Sequence, residues 1–304
     1  MSKESASTGS TKQQRRNALP NRRGALLIGG GLIVLAGLSL VLLLREHPNR
    51  ATPIATGTGH IHGIGIDPAD GAVYFGAHFG VFKVSETGEV VPVGRIRNDT
   101  MAFTVVGTNH FLASGHPDLT SDQPVHLGLI ESTDAAGSWN SVALSGEADF
   151  HALEAIAERT WGIDAVAGQL LTSRDRVRWT SVARGQFIDL ASDPKDSDRV
   201  LVTTGRGQLR AHTDHGGLSV VLTGAPVLTF IDWPAEDELV GLAPDGGVAV
   251  SVDGGANWKT VGRVPGSPTA LEVAGDQWYA ASDQGLYESA DRGRTWRALS
   301  DLQA

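Results

Sequence analysis

The chain has 304 residues, among them 38 glycines and no cysteine. The lack of cysteine excludes disulfide scaffolds, thiol catalysis, cysteine-ligated zinc and a lipid-modified N-terminal cysteine. The net charge of −9 is unevenly divided: residues 1–50 hold eight basic and two acidic side chains, whereas residues 51–304 hold 17 basic and 32 acidic ones. Because phosphates need basic partners, we expect no nucleic-acid partner.

An uncharged, apolar run of 21 residues occupies positions 24–44. At about 1.5 Å per residue, a helix of this length crosses a hydrocarbon core of roughly 30 Å. Six basic residues precede the run and two follow it closely, which by the positive-inside rule keeps the N-terminus cytoplasmic. We therefore predict a cytoplasmic basic tail over 1–23, a transmembrane helix over 24–44, a linker over 45–59 and an extracytoplasmic domain on the cell membrane.

A cleavable signal peptide is the alternative interpretation of this segment. The apolar run is longer than the roughly 7–15 residues of a signal-peptide core, and no small-residue cleavage site follows it. The sequence therefore favours a single-pass anchor.

The remaining chain repeats a short motif at intervals of 38 to 47 residues. Residues 251–258 (SVDGGANW) and 289–296 (SADRGRTW) both fit S-x-D-x-G-x-x-W, and residues 132–139 fit it with Ala136 in the glycine place. Shorter or eroded copies begin at Ser85, Ser173 and His212. Each unit also contains four short strand patterns, and four strands in about 40 residues are typical of a propeller blade. The sequence thus predicts an all-β, six-bladed β-propeller over 60–304.

The S-x-D-x-G-x-x-W motif resembles the Asp-box, or BNR repeat, of bacterial propeller proteins often labelled sialidase-like or glycosylhydrolase. The resemblance implies a hairpin between the third and fourth strands of each blade, in which the serine, aspartate, glycine and tryptophan of the motif have a structural role. It also implies sialidase-like glycoside hydrolysis as one candidate activity. The residues assigned to these hairpins are Ser132, Asp134, Trp139, Asp175, Asp214, Ser251, Asp253, Gly255, Trp258, Ser289, Asp291, Gly293 and Trp296.

Five histidines fall at equivalent strand ends in the first three units. The units align on apolar first-strand positions that we take to be Ile64, Phe103, Leu153, Leu190, Phe230 and Leu271. His62 and His151 then lie two residues before their apolar positions, and His60 lies four before. His78 and His116 end second strands. If the motif hairpins lie at the bottom of the ring, all five histidines lie at the top.

Several imidazoles at one channel mouth indicate a transition-metal site, with copper or zinc preferred over calcium or magnesium. The candidate ligands are His60, His62, His78, His116 and His151, and the candidate residues that orient them are Asp149, Asp118 and His126. Three histidines are excluded from this set: His47 in the linker, and His212 and His215 in an eroded hairpin.

Two other interpretations of the domain stay open. A sialidase needs an F/Y-R-I-P motif, which is missing, and Arg95 and Arg97 follow the first repeat copy rather than precede it. A general two-carboxylate glycosidase has Asp245, Asp283 and Glu154 as candidates, none of them singled out. A non-catalytic platform that binds a protein or glycan would explain the tether and the acidic domain without any chemistry.

Overall fold

The computed structural model describes residues 57–214 and 219–299. The predicted tail over 1–23, the predicted membrane helix over 24–44 and most of the predicted linker lie outside the described residues. Within the described part of the chain, no helix has the length and apolar character needed to cross a membrane.

The described residues form six antiparallel sheets of four strands each, and in every sheet the strands follow their chain order. Blade 1 contains β1 (Ile61–Ile66), β2 (Val73–Ala77), β3 (Gly80–Val84) and β4 (Val90–Pro92). Blade 2 contains β5 (Asp99–Gly107), β6 (His110–His116), β7 (Leu129–Ser132) and β8 (Asn140–Ala143). Blade 3 contains β9 (Phe150–Ile156), β10 (Arg159–Asp164), β11 (Gln169–Ser173) and β12 (Thr180–Arg184).

The second half of the ring repeats this arrangement, which confirms the predicted six-bladed propeller. Blade 4 contains β13 (Phe187–Ser192), β14 (Arg199–Thr204), β15 (Leu209–Thr213) and β16 (Val220–Val221). Blade 5 contains β17 (Phe230–Ala235), β18 (Glu238–Leu242), β19 (Gly247–Ser251) and β20 (Lys259–Arg263). Blade 6 contains β21 (Pro268–Ala274), β22 (Gln277–Ser282), β23 (Gly285–Ser289) and β24 (Arg297–Ala298).

Over residues 57–214 and 219–299, the ring closes by packing of blade 1 against blade 6, and these residues exchange no strand between the two blades. The innermost strands β1 and β21 are in contact, and each of the two blades contains its own fourth strand. Ile61, Ile64 and Phe75 of blade 1 share one buried apolar cluster with Ala281 and Leu286 of blade 6. The first and last blades are therefore held together by the hydrophobic effect, as in the other interfaces of the ring.

The motif hairpins share one hydrogen-bond pattern at the end of the ring that we call the bottom face. In blade 5, the Ser251 hydroxyl donates to Asp253 (2.8 Å) and accepts the Gly255 N–H (2.9 Å), while Asp253 accepts the Asn257 N–H (2.8 Å). The same bonds recur in the hairpins of blades 2 and 6. Each hairpin thus satisfies its own backbone donors, because a serine and an aspartate reach back across the turn.

The position of the motif glycine requires a left-handed backbone. Gly255 has a φ of 90° and Gly293 a φ of 78°, and in blade 2 Ala136 adopts a φ of 67° in spite of its Cβ atom. The tryptophans that end the motifs, Trp258 and Trp296, pack against the buried clusters shared with the preceding blades. The glycine thus permits the turn, and the tryptophan packs the hairpin against the neighbouring blade.

The hairpins of blades 3 and 4 depart from this pattern. In blade 3, where the motif is one residue short, Asp175 accepts the N–H groups of Val177 (3.0 Å) and Arg178 (2.7 Å). In blade 4, Asp214 forms an ion pair with the buried Arg159 of blade 3, and residues 215–218 lie outside the described residues. The eroded copy therefore contributes a contact between blades.

We predict that Phe75→Ala lowers the free energy of unfolding by about 3–5 kcal/mol, because it leaves a cavity in the interface that closes the ring. Phe75 has no solvent exposure and stacks on Phe82 at 5.5 Å between ring centroids. Chemical denaturation measures the change. Val252→Ala, at a position 72% exposed, is the matched control and should change the free energy by less than about 0.5 kcal/mol. A Phe75→Ala effect as small as this control would contradict closure by packing.

Candidate functional site

The end of the ring opposite the motif hairpins, which we call the top face, carries a cluster of six histidines and two aspartates. These residues stand where innermost strands begin, where second strands end, or in the loops that follow those ends. We call the set the histidine cluster: His60, His62, His78, Asp99, His116, His126, Asp149 and His151. All eight belong to blades 1, 2 and 3.

Antiparallel pairing brings the beginning of each first strand beside the end of the second strand. In blade 2, Asp99 at the start of β5 pairs directly with His116 at the end of β6. The residue before His116 is Gly115, with a φ of 141°, and a Cβ atom there would lie 1.9 Å from the Asp99 carbonyl oxygen. In blade 1, the His78 N–H donates to the His60 carbonyl (3.3 Å). The local backbone therefore fixes which polar side chains meet.

His62, His78 and Asp99 form a first group, in which one ligand atom from each lies within 4.8 Å of the others. His78 Nδ1 is 2.7 Å from Asp99 Oδ1, and the rings of His62 and His78 are 4.7 Å apart, centroid to centroid. His60 adjoins the group, with its ring 5.4 Å from that of His78. His62 Nε2 is buried and has no hydrogen-bond partner among the described residues.

His116, His126 and Asp149 form a second group that meets the same distance limit. Asp149 is only 3% exposed, and its Oδ2 atom lies 3.0 Å from His151 Nε2, 3.4 Å from His116 Nε2 and 3.9 Å from His126 Nδ1. Within the described chain, His126 Nδ1 and Asp149 Oδ1 are buried and lack hydrogen-bond partners. This group also presents polar atoms that protein groups leave unsatisfied.

The environment separates the protonation states of these groups. Burial, followed by the neighbouring His78 ring, lowers the pKa of His62 to about 4, so this ring is neutral at neutral pH. The hydrogen bond to Asp99 raises the pKa of His78. Burial acts to raise the pKa of Asp99 and of Asp149, but the bonds to His78 and His151 outweigh it, and both pKa values lie below the usual value. The cluster therefore combines the neutral imidazole of His62 with the ionised carboxylates of Asp99 and Asp149.

This donor set fits a transition metal. Neutral imidazole nitrogen with one carboxylate oxygen suits zinc or copper, whereas calcium and magnesium take oxygen ligands almost exclusively. Each group of three would supply two nitrogens and one oxygen, which leaves a further coordination position for water or another side chain.

Of the eight residues predicted from sequence for this site, the structure brings seven together and leaves Asp118 apart. The Asp118 carboxylate accepts hydrogen bonds from the N–H (2.8 Å) and hydroxyl (2.7 Å) of Thr120, within the β6–β7 loop. Its own N–H donates to Asn98 (3.0 Å), so its contacts stabilise the loop. His126, on the same loop, does reach the cluster.

Sequence reasoning missed Asp99, although a signal for it existed. Asp99 lies two residues before Met101, just as His60 lies two before His62 and Asp149 two before His151. The three residues therefore occupy one equivalent position in blades 1 to 3. Aligning polar types at that position, rather than histidines alone, would have found it.

Four carboxylates line the central channel: Glu154, Asp189, Asp232 and Glu272. Three of them accept a backbone N–H from the innermost strand of the next blade, with Ser192 N donating to Glu154 (2.7 Å), Ile231 N to Asp189 (2.9 Å) and Val273 N to Asp232 (2.7 Å). These three side chains therefore connect neighbouring blades by hydrogen bonds along the channel wall.

The channel raises the pKa of all four carboxylates. Burial is the main cause, and the nearby negative charge of Asp232 adds to it for Glu154 and Glu272. The pKa reaches about 8 for Glu154, about 7 for Asp189 and about 6 for Asp232. The channel therefore holds much less negative charge at neutral pH than its composition suggests.

The carboxylates considered for glycoside hydrolysis are engaged in local bonds. Asp245 accepts the Gly247 N–H (3.0 Å) and pairs with Arg263 (2.8 Å). Asp283 accepts the Ser267 N–H (2.7 Å), and Glu154 accepts a backbone N–H as described above. Each of the three carboxylates thus accepts a backbone hydrogen bond that stabilises the local structure.

Proton titration of the metal-free protein tests the electrostatics of the cluster. We predict that the His62 ring titrates with a midpoint near pH 4, because burial opposes its charge, and that the His78 ring titrates above the ordinary histidine range of about 6.5. NMR of the imidazole protons against pH, after chelator treatment, measures both. Assignment uses His62→Gln and His78→Gln. Two midpoints together near 6.5 would contradict the described environment.

Glu154→Gln tests the channel electrostatics. Between about pH 4.5 and the folded pKa of about 8, the folded protein holds a proton on Glu154 that the unfolded chain has lost, so the free energy of unfolding falls as pH rises. Glutamine retains an acceptor for Ser192 N and removes this term. We expect the variant to gain stability relative to wild type as pH rises, measured by denaturation at several pH values. Glu158→Gln, at an exposed position, is the control, and a parallel profile for Glu154→Gln would refute the assignment.

Comparison with known proteins supports the fold. No protein-family model matches the chain, and no curated protein matches it. Among solved structures, it is similar to a GH74 enzyme from Niastella koreensis (TM-score 0.56, 15% identity), with 81% of this chain and 38% of that one covered. It is similar to the GH74 xyloglucanase from Xanthomonas campestris (TM-score 0.53, 14% identity, 82% and 46% covered) and to YCF48 bound to D1 peptide (TM-score 0.51, 15% identity, 86% of each chain covered). The chain thus spans less than half of either GH74 protein and shares the propeller fold with enzymes and with a peptide-bound protein.

Proposed function

We propose that the protein is a membrane-anchored, extracytoplasmic propeller of Asp-box repeats that binds a transition metal ion, zinc or copper, at its top face. His62, His78 and Asp99 are the proposed ligands. The observation that carries the proposal is the buried and unpaired Nε2 atom of His62, a residue with one ligand atom within 4.8 Å of ligand atoms on the other two.

A metal ion resolves the problem that this nitrogen poses. A buried polar atom without a hydrogen bond costs about 1–3 kcal/mol, and such atoms in native proteins call for a partner. The lone pair of a neutral imidazole is a good ligand, and the low pKa of His62 keeps it available without competition from protons at neutral pH. Coordination would turn the unsatisfied atom into a bonded one.

The neighbouring residues support the geometry of such a site. Asp99 accepts a hydrogen bond from Nδ1 of His78, which sets the orientation of that ring. His60 stands next to His78 and is the nearest additional imidazole that could complete the coordination. A bound ion would act as a Lewis acid toward water or another ligand at the remaining position.

Sequence features support the other parts of the proposal. The apolar run over 24–44 with its basic flank supports the anchor and the extracytoplasmic position of the domain. The serine–aspartate bonds repeated in three hairpins support the assignment of Asp-box repeats. Neither the glycosidase nor the docking-platform alternative gains a comparable observation, because likeness at 15% identity or below concerns the fold.

Titration of the purified full-length chain with Zn²⁺ or Cu²⁺ tests the proposal. We expect wild-type protein to bind tightly in calorimetry and His78→Ala to weaken the first binding event by about 100-fold or more, since a direct ligand matters at least as much as the residues behind it. His110→Gln is the matched control, because His110 pairs with Glu131 (2.7 Å) near the bottom of blade 2. Wild-type affinity no better than millimolar, or equal loss in the control, would overturn the proposal.

A further inference from the structure

The two groups of the histidine cluster are joined through one ring, that of His116. His116 Nδ1 lies 3.5 Å from Asp99 Oδ2, and Asp99 belongs to the first group. His116 Nε2 lies 3.4 Å from Asp149 Oδ2, in the second group. The two nitrogens of one imidazole therefore face two different carboxylates, each of which has its own set of histidines.

The second group has the features of a separate metal-binding site. His126 Nδ1 and Asp149 Oδ1 are buried and have no hydrogen-bond partner among the described residues, and Asp149 is nearly inaccessible to solvent. A carboxylate held in this way with one oxygen unsatisfied is costly unless a cation or a donor meets it. Three imidazoles surround it, on His116, His126 and His151.

A single ion would leave part of this arrangement unsatisfied. The first group can satisfy His62 Nε2 with one ion, but the unpaired atoms of His126 and Asp149 belong to residues of the other group. The ligand atoms of each group of three lie within 4.8 Å of one another, and the two groups share no residue. The cluster therefore divides into two neighbouring centres.

We infer that a second transition metal ion binds at His116, His126 and Asp149, beside the first. This inference rests on the proposed function. His116 coordinates the second ion through Nε2, while its Nδ1 atom faces Asp99. A histidine that binds one metal while its other nitrogen faces a carboxylate is a common arrangement for orienting a ligand. Here that carboxylate is itself a ligand of the first ion, and the two sites are coupled.

Metal content is the first measurement. The full-length chain is dialysed against Zn²⁺ and then against metal-free buffer, and the retained zinc is measured by mass spectrometry. We expect two ions per chain for wild type and for His110→Gln, and one for either His126→Ala or His78→Ala. His126 stands in a loop, and circular dichroism of each variant verifies that the fold is intact.

The outcomes separate this inference from the proposed function. No retained metal in wild type overturns both. One ion in wild type, lost in His78→Ala and kept in His126→Ala, leaves the proposed function standing and overturns the second site.

Loading with Cu²⁺ gives an independent measurement. Two neighbouring Cu²⁺ ions interact magnetically, so electron paramagnetic resonance of wild type should show dipolar broadening and a half-field signal. His126→Ala should show a single, isolated Cu²⁺ spectrum. His116→Ala should lose the second ion and also weaken the first by about 10–100-fold, as expected for a residue that orients a ligand. Unchanged binding of the first ion in His116→Ala would contradict the coupling.

Discussion

The packing of six innermost strands around one channel is the constraint on which the rest of the molecule depends. Because every blade adds its strands in chain order, every innermost strand starts at the top face and every second strand returns there. Residues far apart in the sequence, such as His62 and His151, then line the same opening. The interface between β1 and β21 completes the ring. The geometry of the cluster therefore depends on the apolar packing between blades 1 and 6.

The two faces of the ring differ in how they satisfy polar groups. At the bottom face, the serine and aspartate of the motifs in blades 2, 5 and 6 bond to the turn that carries them, and the pKa of Asp291 falls to about 2 through its bonds with Thr295. At the top face, the histidine cluster leaves His62 Nε2 and other buried atoms unpaired. The hairpins of blades 2, 5 and 6 are held by their own hydrogen bonds, while the top face carries the unpaired nitrogens of His62 and His126 and the unpaired oxygen of Asp149.

Much of the architecture could be predicted, because it follows from a repeated pattern. Blade number, strand order and the meeting of the histidines at one mouth all come from the motif interval and from strand direction. The predicted alignment of the first strands is wrong by one residue in blade 5. Ile231, not Phe230, packs against the preceding blade, whereas Phe230 packs against the cluster shared with blade 6. Sequence alone gave no reason to shift blade 5, because adjacent apolar residues fit either face of a strand that is buried on both sides.

That shift of one residue has a consequence for the channel. With Ile231 as the equivalent of Leu153 and Leu271, the residues that follow are Asp232, Glu154 and Glu272, so carboxylates occupy one equivalent position in blades 3, 5 and 6. Glu154 and Asp232 then accept N–H groups from equivalent positions in the next blade. The channel acids form a repeated device that joins blades, whereas the histidine cluster is confined to blades 1 to 3. Because the channel carboxylates recur at an equivalent position in several blades, a role in holding the fold together accounts for them. The histidines do not recur around the ring, so the fold does not require them.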